Sequence, residues 1–237
     1  VRKIKEQVGN EKVLMAISGG VDSTVAATLI KIACLQNLHL IFIITGLLRN
    51  YDIADLKNVI DKVKFKNLKI VDQSRKFIRV LKGVVDPEQK RKIIAKLYFA
   101  TLAKEARKIG QSLPAGRQVK FLGQGTIYPD RIESAQASKH ADKIKSHHNV
   151  GGLPKNMKLE LLEPMRNFYK DEVREIGRLA GLPEDIVMQQ PMPGPGHAIN
   201  IMGEVTEKRL KQVIKADQIV VEEMQKYARK AFLGLKI

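Results

Sequence analysis

The fold is decided by residues 12–23, which read Lys12-Val13-Leu14-Met15-Ala16-Ile17 and then Ser18-Gly19-Gly20-Val21-Asp22-Ser23. The first half is a short apolar run that ends at a glycine turn, and such a run predicts a buried strand. Apolar residues then recur over a helix-length stretch, residues 25–35, which predicts a helix. A strand, a glycine loop and a helix in this order are the context in which a glycine-rich loop binds phosphate.

The loop formed by Ser18–Ser23 has the chemistry of an anion site. Its two glycines allow the backbone to approach a ligand closely and to point N–H groups at it. The hydroxyls of Ser18 and Ser23 are further donors, and the helix N-terminus contributes partial positive charge. Asp22 would repel phosphate unless a cation lay between them, which implies Mg²⁺. The alternative is an ordinary strand-to-helix turn with a polar cap.

Strands and helices alternate outward from this loop. Short apolar runs predict strands at residues 38–44, 68–71 and 119–122. Residues 51–63 have apolar side chains three and four apart, which predicts an amphipathic helix, and Asp86-Pro87-Glu88 starts a long helix to residue 109. The alternation predicts an α/β fold, a doubly wound open parallel sheet with helices on both faces.

The chain after the fourth predicted strand is less regular. Residues 128–164 are polar and glycine-rich, and we predict that they are mostly loop. A helix is predicted at residues 170–180 and a charged helix at residues 206–231. Between them, residues 191–196 read Pro-Met-Pro-Gly-Pro-Gly, which ends regular structure and indicates a domain boundary.

The composition narrows the class of protein. Lys and Arg number 42 against 25 Asp and Glu, a formal net charge of +17. Such a charge fits a solvated basic surface, a polyanionic small substrate such as a nucleotide, or nucleic acid. The single cysteine, Cys34, excludes an internal disulfide and fits a reducing, cytoplasmic setting. No apolar run reaches the roughly 20 residues of a membrane helix, so no membrane partner is expected.

The loop Ser18–Ser23 resembles the signature of the ATP pyrophosphatases, enzymes that split ATP into AMP and pyrophosphate. The resemblance implies an adenine nucleotide alpha-hydrolase-like sheet with ATP across the carboxyl ends of its strands, where ligands bind in such sheets generally. It makes Ser18, Gly19, Gly20, Val21, Asp22 and Ser23 candidate ATP-binding residues.

Five further segments, in order, are similar to GMP synthase. They are residues 45–49 (Thr-Gly-Leu-Leu-Arg), 86–94 (Asp-Pro-Glu-Gln-Lys-Arg-Lys-Ile-Ile), 123–134 (Gly-Gln-Gly-Thr-Ile-Tyr-Pro-Asp-Arg-Ile-Glu-Ser), 144–154 (Ile-Lys-Ser-His-His-Asn-Val-Gly-Gly-Leu-Pro) and 193–196 (Pro-Gly-Pro-Gly). The likeness spans nearly the whole chain. It implies a ligase that uses ATP and Mg²⁺ to aminate xanthosine monophosphate (XMP) to GMP through an adenyl-XMP intermediate, releasing AMP and pyrophosphate.

The resemblance also implies roles for individual residues. Asp130 and Glu133 would hold Mg²⁺ together with Asp22 and position the reacting groups; the alternative is a helix-capping pair. Three cationic side chains would be catalytic on a glycine-flanked loop that closes over ATP and substrate, the alternative being a solvated loop: Lys145, His147 and His148.

Three more residues take binding roles from the same resemblance. Gly125 and Thr126 would contact ATP. Arg91 would bind the phosphate of XMP, since arginine can bind phosphate through two nitrogens at once. The other cations of the Lys-Arg-Lys run at residues 90–92 are expected to form, in part, a solvated basic face.

The resemblance divides the chain in two. Residues 1–192 would be the ATP pyrophosphatase domain, and residues 193–237 the start of a truncated C-terminal dimerisation domain. We therefore expect a homodimer only with the full domain, and ammonia from a separate glutamine amidotransferase subunit or domain. The chain departs from the family at Ile44, where an acid is usual, and at Met192, His197 and Asn200, where Phe, Leu and Arg are usual.

Two alternatives stay open at this point. One is another ATP pyrophosphatase that adenylylates a tRNA base or a carboxylate, and the segment 145–154 argues against it. The other is a basic, non-catalytic nucleic-acid-binding protein, whose binding would fall steeply with salt and need no Mg²⁺ or ATP. Given the motifs, nucleic acid is not an expected partner.

Overall fold

The computed structural model describes residues 1–49, 52–114, 118–132, 159–189 and 194–234. The strands are β1 (Lys12–Ala16), β2 (Leu38–Ile44), β3 (Leu68–Asp72), β4 (Val119–Gly123) and β5 (Glu160–Leu162). The α-helices are α1 (Arg2–Val8), α2 (Val21–Cys34), α3 (Asp52–Val63), α4 (Ser74–Val80), α5 (Pro87–Gln111), α6 (Lys170–Leu179), α7 (Glu184–Val187) and α8 (Glu207–Gly234). Residues 128–132 form a further short helical turn.

The strands form one parallel sheet in the order β3-β2-β1-β4-β5. In the centre, Met15 of β1 is paired with Leu40 of β2 on one side and with Gly123 of β4 on the other. The chain runs outward from β1 to β3 and then crosses to β4 on the opposite side. The strand order therefore reverses between β1 and β4, and a crevice at the carboxyl ends of such strands is where open α/β sheets bind ligands.

Each face of the sheet carries its own core. Val13, Met15 and Ile17 point to one face with α1, α2, α3, α6 and α7, whereas Leu14 points to the other with α4, α5 and the start of α8. Alternation along a strand buries side chains on both faces only when helices cover both. The prediction of a doubly wound sheet with helices on both faces is confirmed.

The long helix α5 starts as its sequence predicts. The carboxylate of Asp86 accepts a hydrogen bond of 2.8 Å from the backbone N–H of Gln89, and Pro87 occupies the first helical position. The side chain at such a cap satisfies one of the N–H groups that a helix leaves without an internal partner. The start of α5 also places Lys90 and Arg91 one turn into the helix.

One strand and three helices were not expected from the sequence. β5 lies within residues 128–164, which were predicted to be mostly loop, and only Leu162 of its three residues is buried. A three-residue strand at the sheet edge leaves almost no apolar period to detect. The short helices α1, α4 and α7 have seven, seven and four residues, which is equally little periodic signal.

The segment that begins at Gly194 is held at two points, by α5 and by the loop after β2. The ammonium of Lys90, a fully buried side chain, donates to the carbonyls of Ala198, Ile201 and Gly203 at 3.2, 2.6 and 2.7 Å. At Gly196, which has a φ of 62°, a Cβ would lie 2.3 Å from the carbonyl oxygen of Leu47. The proposed division at residues 192 and 193 stays a prediction, and the residues just after it pack on the same core as α5.

Among the described residues, no helix combines the length and the apolar character needed to cross a membrane.

Candidate nucleotide site

The loop between β1 and α2 is held by hydrogen bonds among its own residues. The Ser23 hydroxyl donates to the carbonyl of Gly20 at 3.0 Å and lies 3.0 Å from the Ser18 hydroxyl, which accepts from the Gly20 N–H at 3.3 Å. Gly19 has a φ of 85°, which favours glycine. Since the Ser23 proton goes to Gly20, the Ser18 hydroxyl donates to Ser23, and both hydroxyls help to hold the loop open.

This shape leaves the first N–H groups of α2 without partners inside the helix. They lie at the carboxyl end of β1, at the point where the strand order reverses. Together with the helix dipole they make a site for an anion such as phosphate. The predicted strand, glycine loop and helix are confirmed, although α2 starts at Val21 rather than at residue 25, and the ATP contacts of Ser18–Ser23 stay a prediction.

Asp22 is paired with a cation from a distant part of the chain. The Nζ atom of Lys170, the first residue of α6, lies 2.7 Å from both carboxylate oxygens of Asp22. The two side chains are 27% and 32% exposed, so the pair faces the crevice rather than the core. Sequence reasoning missed Lys170, because no local pattern links residues that are 148 positions apart.

Gly125 brings the loop after β4 against the start of α2. A Cβ at this position would lie 3.0 Å from the backbone C and O of Asp22 and from the backbone N of Ser23. Such an approach to backbone atoms is open only to glycine. Thr126, the next residue, is buried, and its hydroxyl lies 3.5 Å from the side-chain oxygen of Gln124. The structure therefore places Gly125 beside the loop Ser18–Ser23, as the ATP-binding assignment requires.

Asp130 follows on the same loop. Its carboxylate accepts a hydrogen bond of 3.0 Å from the backbone N–H of Ile127, at the start of the helical turn of residues 128–132. The capping role considered for this residue is thus present, and a metal-binding role stays a prediction. Glu133, Lys145, His147 and His148 lie outside the described residues. No group of three or more potential metal ligands of the His, Cys, Asp or Glu types occurs within the described ranges.

Arg91 lies on the other face of the sheet. Its Nη1 atom is 3.3 Å from a carboxylate oxygen of Glu88, one turn earlier on α5, and the side chain is about one-third exposed. Its neighbour Lys90 is buried and donates to backbone carbonyls of the segment after Gly194. In the basic run at residues 90–92, this lysine therefore stabilises the fold and is not part of a solvated surface. The role of Arg91 toward XMP stays a prediction.

His197, one of the departures from the family, is buried where the segment after Gly194 meets the loop after β2. Its backbone N–H donates to the carbonyl of Leu47 at 2.8 Å, and its Nδ1 lies 3.5 Å from the amide nitrogen of Asn200. Its Nε2 is buried with no hydrogen-bond partner among the described residues. Burial lowers the pKa of His197, although the charges of Asp217 and Asp52 act in the opposite direction.

Ile44, another departure, ends β2. Its carbonyl accepts a hydrogen bond of 2.9 Å from the backbone N–H of Gln73, so the backbone at this position is engaged with the chain after β3. Met192, a further departure, lies outside the described residues.

The sequence of this chain is similar to sequences of known nucleotide-using enzymes. Residues 1–111 match the NAD synthase family. The chain is 46% identical over 227 residues to the glutamine-hydrolysing GMP synthase of Thermotoga petrophila, which covers 96% of this chain and 44% of that protein. It is 49% identical over 227 residues to the corresponding enzyme of Thermomicrobium roseum, covering 95% of this chain and 42% of that protein. The chain thus spans less than half the length of these relatives.

A solved structure shows the same fold at low sequence identity. The ammonia-dependent NAD synthetase of Campylobacter jejuni superposes with a TM-score of 0.57 at 15% identity, covering 94% of this chain and 83% of that one. The likeness confirms the fold class that the loop and the alternating strands and helices predict. The curated relatives match 95 to 96% of this chain, so the chain is similar nearly throughout to one part of the glutamine-hydrolysing GMP synthases.

Proposed function

We propose that this chain carries out the ATP-dependent amination of XMP to GMP, through an adenyl-XMP intermediate and with release of AMP and pyrophosphate. The observation that carries the proposal is the meeting of three separate segments at the point where the strand order reverses. The loop Ser18–Ser23, the glycine loop at Gly125 and the Lys170 ammonium lie together there. Its support in sequence is the likeness to the GMP synthases, which is spread over nearly the whole chain.

The residues at this place suit Mg²⁺. Both oxygens of Asp22 already contact a cationic group, the ammonium of Lys170, so the position in front of Asp22 stabilises positive charge. Carboxylate oxygens are the protein ligands that Mg²⁺ prefers, usually one or two beside substrate phosphates and water. Asp22 would hold the ion, with Asp130 and Glu133 as further candidate ligands. When bound, Mg²⁺ would neutralise charge on the triphosphate and on the departing pyrophosphate.

The remaining groups at this place would bind the phosphates and stabilise their charge. The first N–H groups of α2 would hold the phosphates of ATP, and the hydroxyls of Ser18 and Ser23 would turn their protons from the loop to phosphate oxygens when ATP binds. Gly125 keeps the β4 loop close enough for Thr126 to border the same space. Lys170 would exchange part of its contact with Asp22 for contact with phosphate oxygens. Such fixed positive groups act by stabilising charge that develops during the reaction.

The acceptor side rests on the resemblance. We propose XMP as the acceptor, with its phosphate at Arg91, and ammonia supplied by a glutamine amidotransferase subunit or domain. The loop with Lys145, His147 and His148 would close over the bound substrates, and a homodimer would complete the assembly. Localisation in the cytoplasm is proposed on the same basis.

One experiment tests the reaction directly. The chain is incubated with ATP, Mg²⁺, XMP and ammonium, which makes a glutaminase unnecessary, and AMP, pyrophosphate and GMP are followed by chromatography. We expect AMP and pyrophosphate to form only when XMP is present, and Asp22→Asn to abolish their formation. Release that is independent of XMP, or that requires a tRNA or a carboxylate acceptor, would contradict the assignment of the acceptor.

A further inference from the structure

The positive charge of the chain is concentrated in one region. Residues 62–108 are all described, and they carry 15 Lys and Arg against 4 Asp and Glu, so a fifth of the chain holds most of its net charge of +17. A generally basic composition would spread its excess evenly. This concentration therefore calls for a local explanation.

The four acids in the region are already engaged. Asp86 caps α5, Glu88 pairs with Arg91, and Asp72 accepts from the N–H of Ser74. Glu105 is buried between Lys69 and Lys108, each at 2.7 Å. Burial alone would raise the pKa of Glu105, but the two lysines lower it overall. This acid therefore stays ionised, and its charge is neutralised by Lys69 and Lys108.

Seven exposed cations on α4, on α5 and in the turn after α4 have no salt bridge within the described chain. We call them the basic face: Arg75, Lys76, Arg79, Lys82, Lys92, Lys96 and Lys104. The first four lie on α4 or just after it, and the last three lie on α5. Phe77 and Leu81 from the α4 side and Ile94 and Leu97 from α5 are buried in one core on the same face of the sheet. The two sets of cations therefore lie on the outer surface of one helical layer.

We propose that the basic face binds the phosphate backbone of duplex nucleic acid without reading its sequence. Lysines and arginines spread over a helical surface neutralise phosphates and release counterions, and this is enough for non-specific binding. Lys92, Lys96 and Lys104 span 12 residues of α5, about 18 Å, which matches about five base pairs of duplex. Nucleic acid was not expected from the motifs, but the seven exposed cations of the basic face lie together on one helical layer, and this is the ground for the proposal.

The same surface argues against two other ligands. Single-stranded nucleic acid is held by exposed aromatic side chains on which bases stack, and no aromatic residue of residues 62–108 is exposed. The core of a protein–protein interface is depleted in lysine and charge and enriched in aromatic anchors. Five of the seven cations here are lysines, so a uniformly charged partner fits this surface better than another protein does.

The test measures binding of a fluorescein-labelled RNA duplex of about 20 base pairs to the full chain by anisotropy, over a series of KCl concentrations. In the face variant, Arg79, Lys92 and Lys96 are all changed to Gln. In the matched control, Lys208, Lys211 and Lys215, exposed cations of α8, are changed to Gln. Circular dichroism confirms that both variants are folded.

We expect the parent and the control to bind with affinities within about threefold of each other. The face variant should bind at least tenfold more weakly, with a salt slope lower by about 2 to 3, since each lost phosphate contact removes about 0.9. A second duplex of unrelated sequence should bind equally well. Saturating Mg²⁺ and ATP, or Asp22→Asn, should leave duplex binding unchanged, which separates this surface from the nucleotide site.

Three results would overturn the proposal. They are no duplex binding at low salt, equal loss in the face variant and the control, and displacement of the duplex by poly-glutamate at the same concentration of charge. The last result would assign the surface to an acidic polypeptide instead.

Discussion

The Nζ atom of Lys170 lies 2.7 Å from both carboxylate oxygens of Asp22 and so joins the first turn of α6 to the first turn of α2. This contact holds the candidate Mg²⁺ ligand in place before any nucleotide arrives. It also neutralises a carboxylate that would otherwise repel phosphate. A substitution of either residue should therefore change ATP affinity much more than it changes the free energy of unfolding.

Asp22→Asn should weaken binding of ATP in the presence of Mg²⁺ by about 10- to 100-fold, the range expected for the loss of a charged contact. The fold should survive, because the ion pair is partly exposed and such pairs contribute about 1 kcal/mol or less. Calorimetric titration with ATP and Mg²⁺ gives the affinity, and urea unfolding gives the stability. Asp171→Asn, an exposed acid on the next position of α6, is the control and should leave the affinity unchanged. Unaltered affinity in Asp22→Asn would refute the role of Asp22.

Lys170→Gln breaks the same ion pair but leaves the carboxylate. We expect Mg²⁺ to compensate at Asp22, so that the loss of ATP affinity depends on the Mg²⁺ concentration and shrinks as Mg²⁺ is raised. Titrations at several Mg²⁺ concentrations measure this. If the loss is the same at every concentration, Lys170 contacts the nucleotide alone and does not share Asp22 with the metal ion.

The sequence predicts the central parts of this arrangement and misses the links between them. The strand and glycine loop at residues 12–23, the presence of a helix after them and the capped start of α5 at Asp86 follow from local periodicity and capping. The Lys170–Asp22 contact and the fit of Gly196 on Leu47 do not, because they join segments that are far apart in the chain. Arg91 and Lys90 show the same limit: adjacent cations on one helix differ in burial only once the partner segment is in place.

Gly125→Ala should damage both folding and nucleotide binding. The new Cβ would lie 3.0 Å from backbone atoms of Asp22 and Ser23, which cannot move aside as a flexible side chain could. We expect a loss of about 1–3 kcal/mol in the free energy of unfolding, and weaker ATP binding because the loop Ser18–Ser23 is displaced. Gly110→Ala in α5, where the nearest atom is 3.9 Å away, is the control and should stabilise the protein by about 0.5–1 kcal/mol. Equal effects of the two substitutions would contradict the packing argument.

Lys90→Met should be strongly destabilising, although most lysines are exposed and can be replaced with little loss of stability. The substitution leaves the carbonyls of Ala198, Ile201 and Gly203 without their shared donor in a buried place. Each buried acceptor left without a partner costs about 1–3 kcal/mol, so a total loss of at least 2 kcal/mol is expected. Urea unfolding measures it against Lys92→Met, an exposed neighbour on the same helix that should change stability by less than about 0.5 kcal/mol. A similar small loss in both variants would mean that water replaces the ammonium.

Acid should destabilise the folded protein through its buried histidines, His197 above all. Burial lowers the pKa of His197 below its ordinary value of 6.5, and burial, together with Lys12, also lowers the pKa of His39. Below the ordinary value, the unfolded chain therefore binds protons that the folded chain resists, and the stability present above about pH 6.5 is lost as the pH falls toward the folded pKa. Each histidine contributes up to about 1.4 kcal/mol per pH unit over that window.

His197→Leu removes this proton and fills the same buried space with an apolar side chain. The free energy of unfolding is measured from pH 7.5 to pH 5.3. Its slope against pH should be smaller in His197→Leu than in the parent, by up to about 1.4 kcal/mol per pH unit, which corresponds to the uptake of one proton. Carboxylates whose pKa is lowered by their partners, such as Glu105, titrate below this window and do not contribute. The other histidines are common to both proteins and cancel in the difference. Superimposable pH profiles, or an imidazole titration of His197 at or above 6.5 by NMR, would show that the buried Nε2 has found a partner in solution.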